Sequence, residues 1–338
     1  MKILSGIAAA LVALVAMQNG ASALDKVVMT YARDSIIWTP IYIARRLGYF
    51  QEQGIDLEVV PVPTGAAALT AVTTGSAQVA VGTPATTIRA REQGYKVKII
   101  GALVNQAAYQ LVIREDVARK LNLTSATPMS ERVKKLKGLT ISTNGAGGAP
   151  DNTLQYILRE AGLNPQTDVT ITPIPSDQAV LAVFAQKRID GLIRSAPTTV
   201  MIIEKHNAHR MIDFAKGEYE PLSGVLSSAI TVGEPWLDKN PDLAVRLLRA
   251  LNRGLKLLQD NPAEAKVAVR SFFPDLDQTL FDYSWDGHVA IFRSSVSIQR
   301  NDINRVIDFI KVLENKPVTG DPEQSYTNRY SDLAEHQK

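Results

Sequence analysis

There is no cysteine among the 338 residues of this chain. That excludes disulfides, thiol nucleophiles, thiolate-held metals and a cysteine-linked lipid anchor, so ordinary core packing must supply the stability. Charge bias is missing too: 37 Lys and Arg against 34 Asp and Glu leave a net +3. That is too mild for nucleic acid, and no basic stripe carries interleaved aromatics. Long hydrophobic runs are absent, since a spanning helix needs roughly 18 apolar residues and the longest run, Gly6 to Met17, is shorter. Histidine is scarce. His206 and His209 are spaced like a metal pair but have no acidic partner at ligand spacing, and read as a solvated helix end; His288 and His336 stand alone. No Gly-x-Ser-x-Gly elbow and no Gly-Lys-Ser/Thr phosphate loop occurs. No enzyme, metal or cofactor is expected on these grounds.

What is present begins with an export pattern. Lys2 gives a positive start, Gly6 to Met17 a short apolar stretch, and Ala21-Ser22-Ala23 a small-x-small cleavage site. The expectation is a signal peptide over 1–23, cleaved after Ala23, and a periplasmic product without a lipid anchor. A buried N-terminal helix is the competing reading.

From Lys26 onward, strand and helix signals alternate. Strands are predicted over 26–32, 56–62, 79–83 and 97–104, with helices over 38–53, 66–74 and 84–93 between them. The same order returns with strands at 138–143, 169–173 and 190–194 and helices at 151–161, 177–186 and 197–205. Such alternation predicts parallel sheets flanked by helices. The two series superpose without a gap at an offset of 112 residues. Pro61 falls on Pro173, Pro63 on Pro175, Leu69 on Leu181, Gly82 on Arg194, Thr86 on Thr198 and Thr87 on Thr199. This points to two lobes of like topology. A strand over 110–114 and a polar stretch, 115–136, lead into the second lobe. After 213–221 a strand over 227–232 and amphipathic helices over 243–259, 263–273 and 303–313 return to the first. Lobe 1 is then 24–111 plus 226–338 and lobe 2 is 112–225, with hinges near Leu111 and Leu226.

Sheets of this kind bind ligands at the carboxyl ends of their strands, where helix N-termini offer unpaired N–H groups. Five strand-to-helix turns are rich in Gly, Ser, Thr or Pro. One, STNGAGGAPDN (142–152), packs three glycines before a helix. Its third fingerprint position is Pro150, so it is no dinucleotide loop; a nest for an anion or other polar group remains. Arg194, at a strand end, suits a bidentate grip on an oxyanion or a salt bridge to Asp190 or Asp177. Arg33 and Asp34, at another strand end, are expected to pair with each other.

The segments YIARRLGYFQEQGIDLEVV (42–60), TGAAALTAVTTGSAQVAVGTP (64–84) and KRIDGLIRSAP (187–197) resemble the solute-binding proteins of ABC importers. The similar branch is the nitrate/sulfonate/taurine type, which includes binders of thiamine-pyrimidine precursors. The resemblance implies an α/β two-lobe clamshell, each lobe a mostly parallel sheet flanked by helices. It implies a monomer that closes on a small-molecule ligand and delivers it to an ABC permease and ATPase complex in the inner membrane. It places the ligand against Ser35, Trp38 and Thr39; Thr64, Gly65 and Ala66; and Gly82 and Thr83. From the second lobe it adds Asn144, Gly145, Gly147 and Gly148; Ser176 and Asp177; and Arg194 and Ser195. Trp38 is either a stacking or lid residue or a core aromatic, and Tyr109 is a candidate for the hinge side of the cleft. The expected guest is a small oxyanion of the sulfonate, taurine, nitrate or carboxylate class. An aromatic heterocycle held by Trp38 and Tyr109 is the alternative, as is a receptor role in a tripartite secondary transporter. Enzymes that share this outline, desulfinases and pyrimidine-precursor synthases, depend on cysteines, which favours a binder.

Overall fold

A computed structural model describes residues 23–32, 35–124, 126–319 and 321–336. The expected signal peptide, apart from Ala23, and the expected Arg33–Asp34 pair lie outside the described residues. Among the described residues ten strands form two sheets: β1 (Asp25–Ala32), β2 (Ile55–Val62), β3 (Val79–Gly82), β4 (Val97–Val104), β5 (Gln110–Arg114), β6 (Thr140–Thr143), β7 (Thr170–Pro173), β8 (Gly191–Arg194), β9 (Ala208–Asp213) and β10 (Ser228–Gly233). The first sheet has the order β2-β1-β3-β10-β4 and the second β7-β6-β8-β5-β9. β1, β2 and β3 are parallel, while β10 runs against both β3 and β4. In the second sheet β6, β7 and β8 are parallel and β5 runs against β8 and β9. Each sheet is therefore mostly parallel, and its one reversed strand is the first strand after the chain has changed sheets. Among the described residues no helix is long and apolar enough to cross a membrane.

The 112-residue repeat survives in three dimensions. The helix Gly65–Thr73 has its counterpart in Asp177–Ala185, and β3 has its counterpart in β8, at that same offset. The caps match as well. Thr64 Oγ1 accepts from the Ala67 amide at 3.2 Å, and Ser176 Oγ accepts from the Ala179 amide at 3.2 Å. Each cap is worth about 1 kcal/mol, which fixes where both helices start.

Some expected elements differ. The helix predicted over 38–53 is a short 3-10 turn followed by Thr39–Arg46 and Tyr49–Glu52, broken where Gly48 takes φ 74°. The polar stretch 115–136 contains two short helices, Glu115–Lys120 and Met129–Lys134. β9 and the helices Gln278–Asp286 and Arg329–His336 were not foreseen. The crossings occupy 105–109 and 214–227, so Leu111 lies just inside β5 and Leu226 just before β10. Gln110 and Asp213, where the chain enters and leaves the second sheet, sit opposite each other.

The helix Pro241–Asp260 buries Leu243, Leu247, Leu251, Leu255 and Leu258, spaced three or four apart, in the core of the first lobe. It approaches Thr39–Arg46 so closely that a Cβ on Gly254 would sit 2.5 Å from the Pro40 carbonyl oxygen. Gly254→Ala should therefore lower the urea midpoint. Overpacking costs about 1–3 kcal/mol, more than the ~1 kcal/mol gained from helix propensity. A raised midpoint would show that the contact yields. On the second lobe's side, Tyr156 of the helix Ala149–Glu160 stacks on Phe309 of Arg300–Glu314, at 5.0 Å and 17°.

Candidate functional site

The carboxyl ends of β1, β3 and β8 and the loop after β6 converge on one cleft of about 90 Å³. Ser35, Trp38, Gly65, Ala66, Gly82 and Thr83 form one wall; Asn144, Gly147, Gly148, Asp177, Arg194 and Ser195 form the other. The two walls touch, with Ser35 Oγ 3.0 Å from Ser195 Oγ.

Four expected residues stand behind the lining. Thr39 is fully buried and its hydroxyl donates to the Ile36 carbonyl at 2.6 Å. Thr64 and Ser176 are spent on their caps, and a Cβ on Gly145 would meet the Thr64 methyl at 3.3 Å. Thr86, Thr198 and Ser227 line the cleft without having been assigned to it. The first two were visible as equivalent positions of the repeat. Ser227 sits on the return crossing, whose path has no local signature.

Trp38 borders the cleft but is almost wholly buried. Its ring stacks on Tyr31 at 5.1 Å and 24°, and its Nε1 donates to the Ala32 carbonyl at 3.2 Å. Tyr109 also borders it, and burial pushes its phenol well above the usual range, so it acts as a neutral hydroxyl.

The glycine loop is tied to its own helix. The carboxylate of buried Asp151, in the first turn of Ala149–Glu160, accepts from the Gly147 amide at 2.9 Å, Gln155 Nε2 at 2.8 Å and Thr143 Oγ1 at 3.3 Å. An acid there complements the helix dipole and answers the loop amide that a bound anion would have used. A Cβ on Gly148 would come within 2.8 Å of Asn144 Oδ1, so a larger residue there would have to push that side chain aside. That Asn144 oxygen is buried and has no hydrogen bond among the described residues.

Arg194 is 4% exposed. Its Nη2 donates to the carbonyls of Thr143, at 3.1 Å, and Ile174, and its Nε lies 3.5 Å from Asp177 Oδ1. Asp190 serves Arg114 at 3.3 Å and the Thr140 amide at 2.8 Å instead. The charged side chains of the lining are thus one base and one acid in contact. Opposite them stand the starts of the helices Gly65–Thr73 and Pro84–Glu92, whose first-turn amides have no partner within the helix. The second wall begins helices too, Ala149–Glu160 and Asp177–Ala185, so both walls offer first-turn amides and the second adds Asn144 Oδ1 and the Asp177 carboxylate as acceptors. No group of three His, Asp or Glu side chains placed to hold a metal occurs among the described residues.

A sequence model of NMT1/THI5-like proteins matches residues 36–265, more than half of the chain. The chain belongs to the NMT1/THI5-like family. One relative is YtlA of Bacillus subtilis (strain 168), named as a candidate binding protein; it is 24% identical over 77% of this chain and 75% of its own. Another is THI11 of Saccharomyces cerevisiae, a 4-amino-5-hydroxymethyl-2-methylpyrimidine phosphate synthase, 22% identical over 86% of this chain and 83% of its own. Among solved structures, one from Bordetella bronchiseptica RB50 superposes with a TM-score of 0.80 at 19% identity, covering 92% of this chain and 97% of that one. The alkanesulfonate-binding protein SsuA of Xanthomonas axonopodis pv. citri gives 0.69 at 15% identity, covering 93% and 99%. The periplasmic nitrate-binding protein NrtA of Synechocystis PCC 6803 gives 0.68 at 14% identity, covering 92% and 88%. These likenesses establish the two-lobe fold of solute-binding proteins for this family member; they do not carry a ligand across.

Proposed function

We propose that this chain is the periplasmic solute-binding component of an ABC importer. In this reading it captures a small solute with an oxyanion group and hands it to a permease and ATPase. Lobe 1 (24–111 plus 226–338) and lobe 2 (112–225) close about the two crossings. The observation that carries the reading is one small cleft between two walls, both begun by helices and one also carrying acceptors. First-turn amides near Gly65, Ala66 and Thr83 suit the oxyanion. Asn144 Oδ1 and the Asp177 carboxylate suit a donor at the guest's other end, as in a taurine-like zwitterion. Arg194, held by carbonyls and Asp177, acts as a positioning residue that shapes the acceptor wall. Micromolar binding needs about −8 kcal/mol while one helix N-terminus supplies at most ~2, so capture requires both walls at once, with closure driven by the guest.

A second reading is a pyrimidine-like heterocycle. Its support is the nearness of the same two acceptors to the rings of Trp38 and Tyr109, together with the synthase among the relatives. A thermal-shift panel separates the two. Taurine, alkanesulfonates, nitrate and small carboxylates are expected to raise the Tm of the purified chain by several degrees, and aminopyrimidines are not. The reverse pattern would replace the oxyanion by the heterocycle. Chemical turnover of any panel member would replace the binder by an enzyme.

A further inference from the structure

A smaller chamber, of about 40 Å³, lies beside the cleft. Thr83, Tyr109, Ala149 and Ser227 line both, so at most one layer of side chains stands between the two spaces. From there the chamber reaches Ala107, Leu222 and Val225 on the crossings, and Val306 and Phe309 of the helix Arg300–Glu314.

Its chemistry is unlike that of the cleft. No charged residue lines it. Asn152, Thr153 and Ser227 turn donors to backbone carbonyls: Asn152 Nδ2 to Gly147 at 3.1 Å, Thr153 Oγ1 to Ala149 at 2.9 Å and Ser227 Oγ to Gln106 at 2.7 Å. The cleft holds the buried, unsatisfied Asn144 Oδ1. Among the described residues the chamber's lining has no buried side-chain nitrogen or oxygen without a hydrogen bond. What remains to face the space is largely hydrocarbon, and Phe309 is held there by its stack on Tyr156 at 5.0 Å. Such a space holds water poorly and hydrocarbon well.

We propose that this chamber seats an apolar tail of the guest, so that the solute is an oxyanion carrying an alkyl group of a few carbons. The inference rests on the oxyanion reading above. Thr83, beside the seat given there to the oxyanion, is one of the four residues shared by both spaces, so the head and tail of one molecule occupy them together. Val306 and Phe309 then set how long a tail is accepted, and a tailless ion such as nitrate leaves the chamber unused.

The test is calorimetric titration of the full chain with the alkanoates from acetate to hexanoate and the alkanesulfonates from methane- to pentanesulfonate. Affinity should rise about fourfold with each added methylene until the chamber is full. In Val306→Phe, whose ring occupies the chamber, acetate and methanesulfonate should bind as in the wild type and the gain with length should vanish. In the wild type itself, the terminal methyl of bound pentanoate or butanesulfonate should show an NOE to the Phe309 ring, a readout that needs no variant. A flat series, an equal gain in a folded Val306→Phe protein, or no such NOE would overturn the proposal and leave the oxyanion reading standing. If no member of either series binds, the oxyanion reading falls instead, and 1-pentanol, a tail without the head, decides the chamber. A saturable NOE from its methyl to Phe309 would uphold the tail seat, and none would overturn it.

Discussion

Arg194→Ala is expected to destabilise the second lobe by about 3 kcal/mol. The Ile174 carbonyl loses a charged donor, and the Thr143 carbonyl loses one while keeping its bond from the Ile174 amide; a hydrogen bond to a charged group is worth about 1.5–3 kcal/mol. Asp177 is half exposed and adds little of its own, since water can replace the guanidinium. For a unit the size of lobe 2 the loss corresponds to roughly 12 °C in Tm, readable by calorimetry. Arg194→Lys should recover only part of it, because one ammonium cannot serve two carbonyls and a carboxylate as a planar fork does. Ligand affinity should fall with stability, because Arg194 holds the acceptor wall. A Tm within about 1 °C of wild type would show that the carbonyl ties are not what keeps β6, β8 and the strand end after β7 together.

Ser195→Trp is expected to act on function with little effect on the unliganded fold. Ser195 faces Ser35 across the cleft at 3.0 Å, and an indole there would hold the walls apart. If each wall alone supplies only a few weak contacts, losing closure should reduce ligand affinity at least 100-fold, about 2.7 kcal/mol. Calorimetric titration with the best solute of the panel measures it. Wild-type affinity in this variant would mean that closure contributes nothing to capture.

The sheets and the positions of most cleft loops were legible because they rest on local rules. Period-two and helical hydrophobic patterns marked β1 to β4, and the caps Thr64 and Ser176 marked two helix starts at one offset. What sequence could not give was set by distant partners. β9 is a strand because β5 lies beside it. The partners of Arg194 include carbonyls on the ends of two other chain segments, which no spacing encodes. The glycine loop looked ready for an anion until Asp151, four residues beyond Gly147, proved to hold the amide itself. Trp38 looked equally suited to lid or core; stacking on Tyr31 and the bond to Ala32 tie it into the first lobe, where it still lines the cleft.

The absence of native cysteine makes one measurement especially direct. In Ser35→Cys combined with Ser195→Cys, the two thiols stand where the hydroxyl oxygens are 3.0 Å apart, close enough for a disulfide after a small adjustment. A solute active in the thermal-shift panel should accelerate disulfide formation, and the oxidised protein should neither take up nor release that solute until it is reduced. Cross-linking at one rate with or without solute, or an oxidised protein that still exchanges ligand freely, would contradict closure of two lobes over a guest.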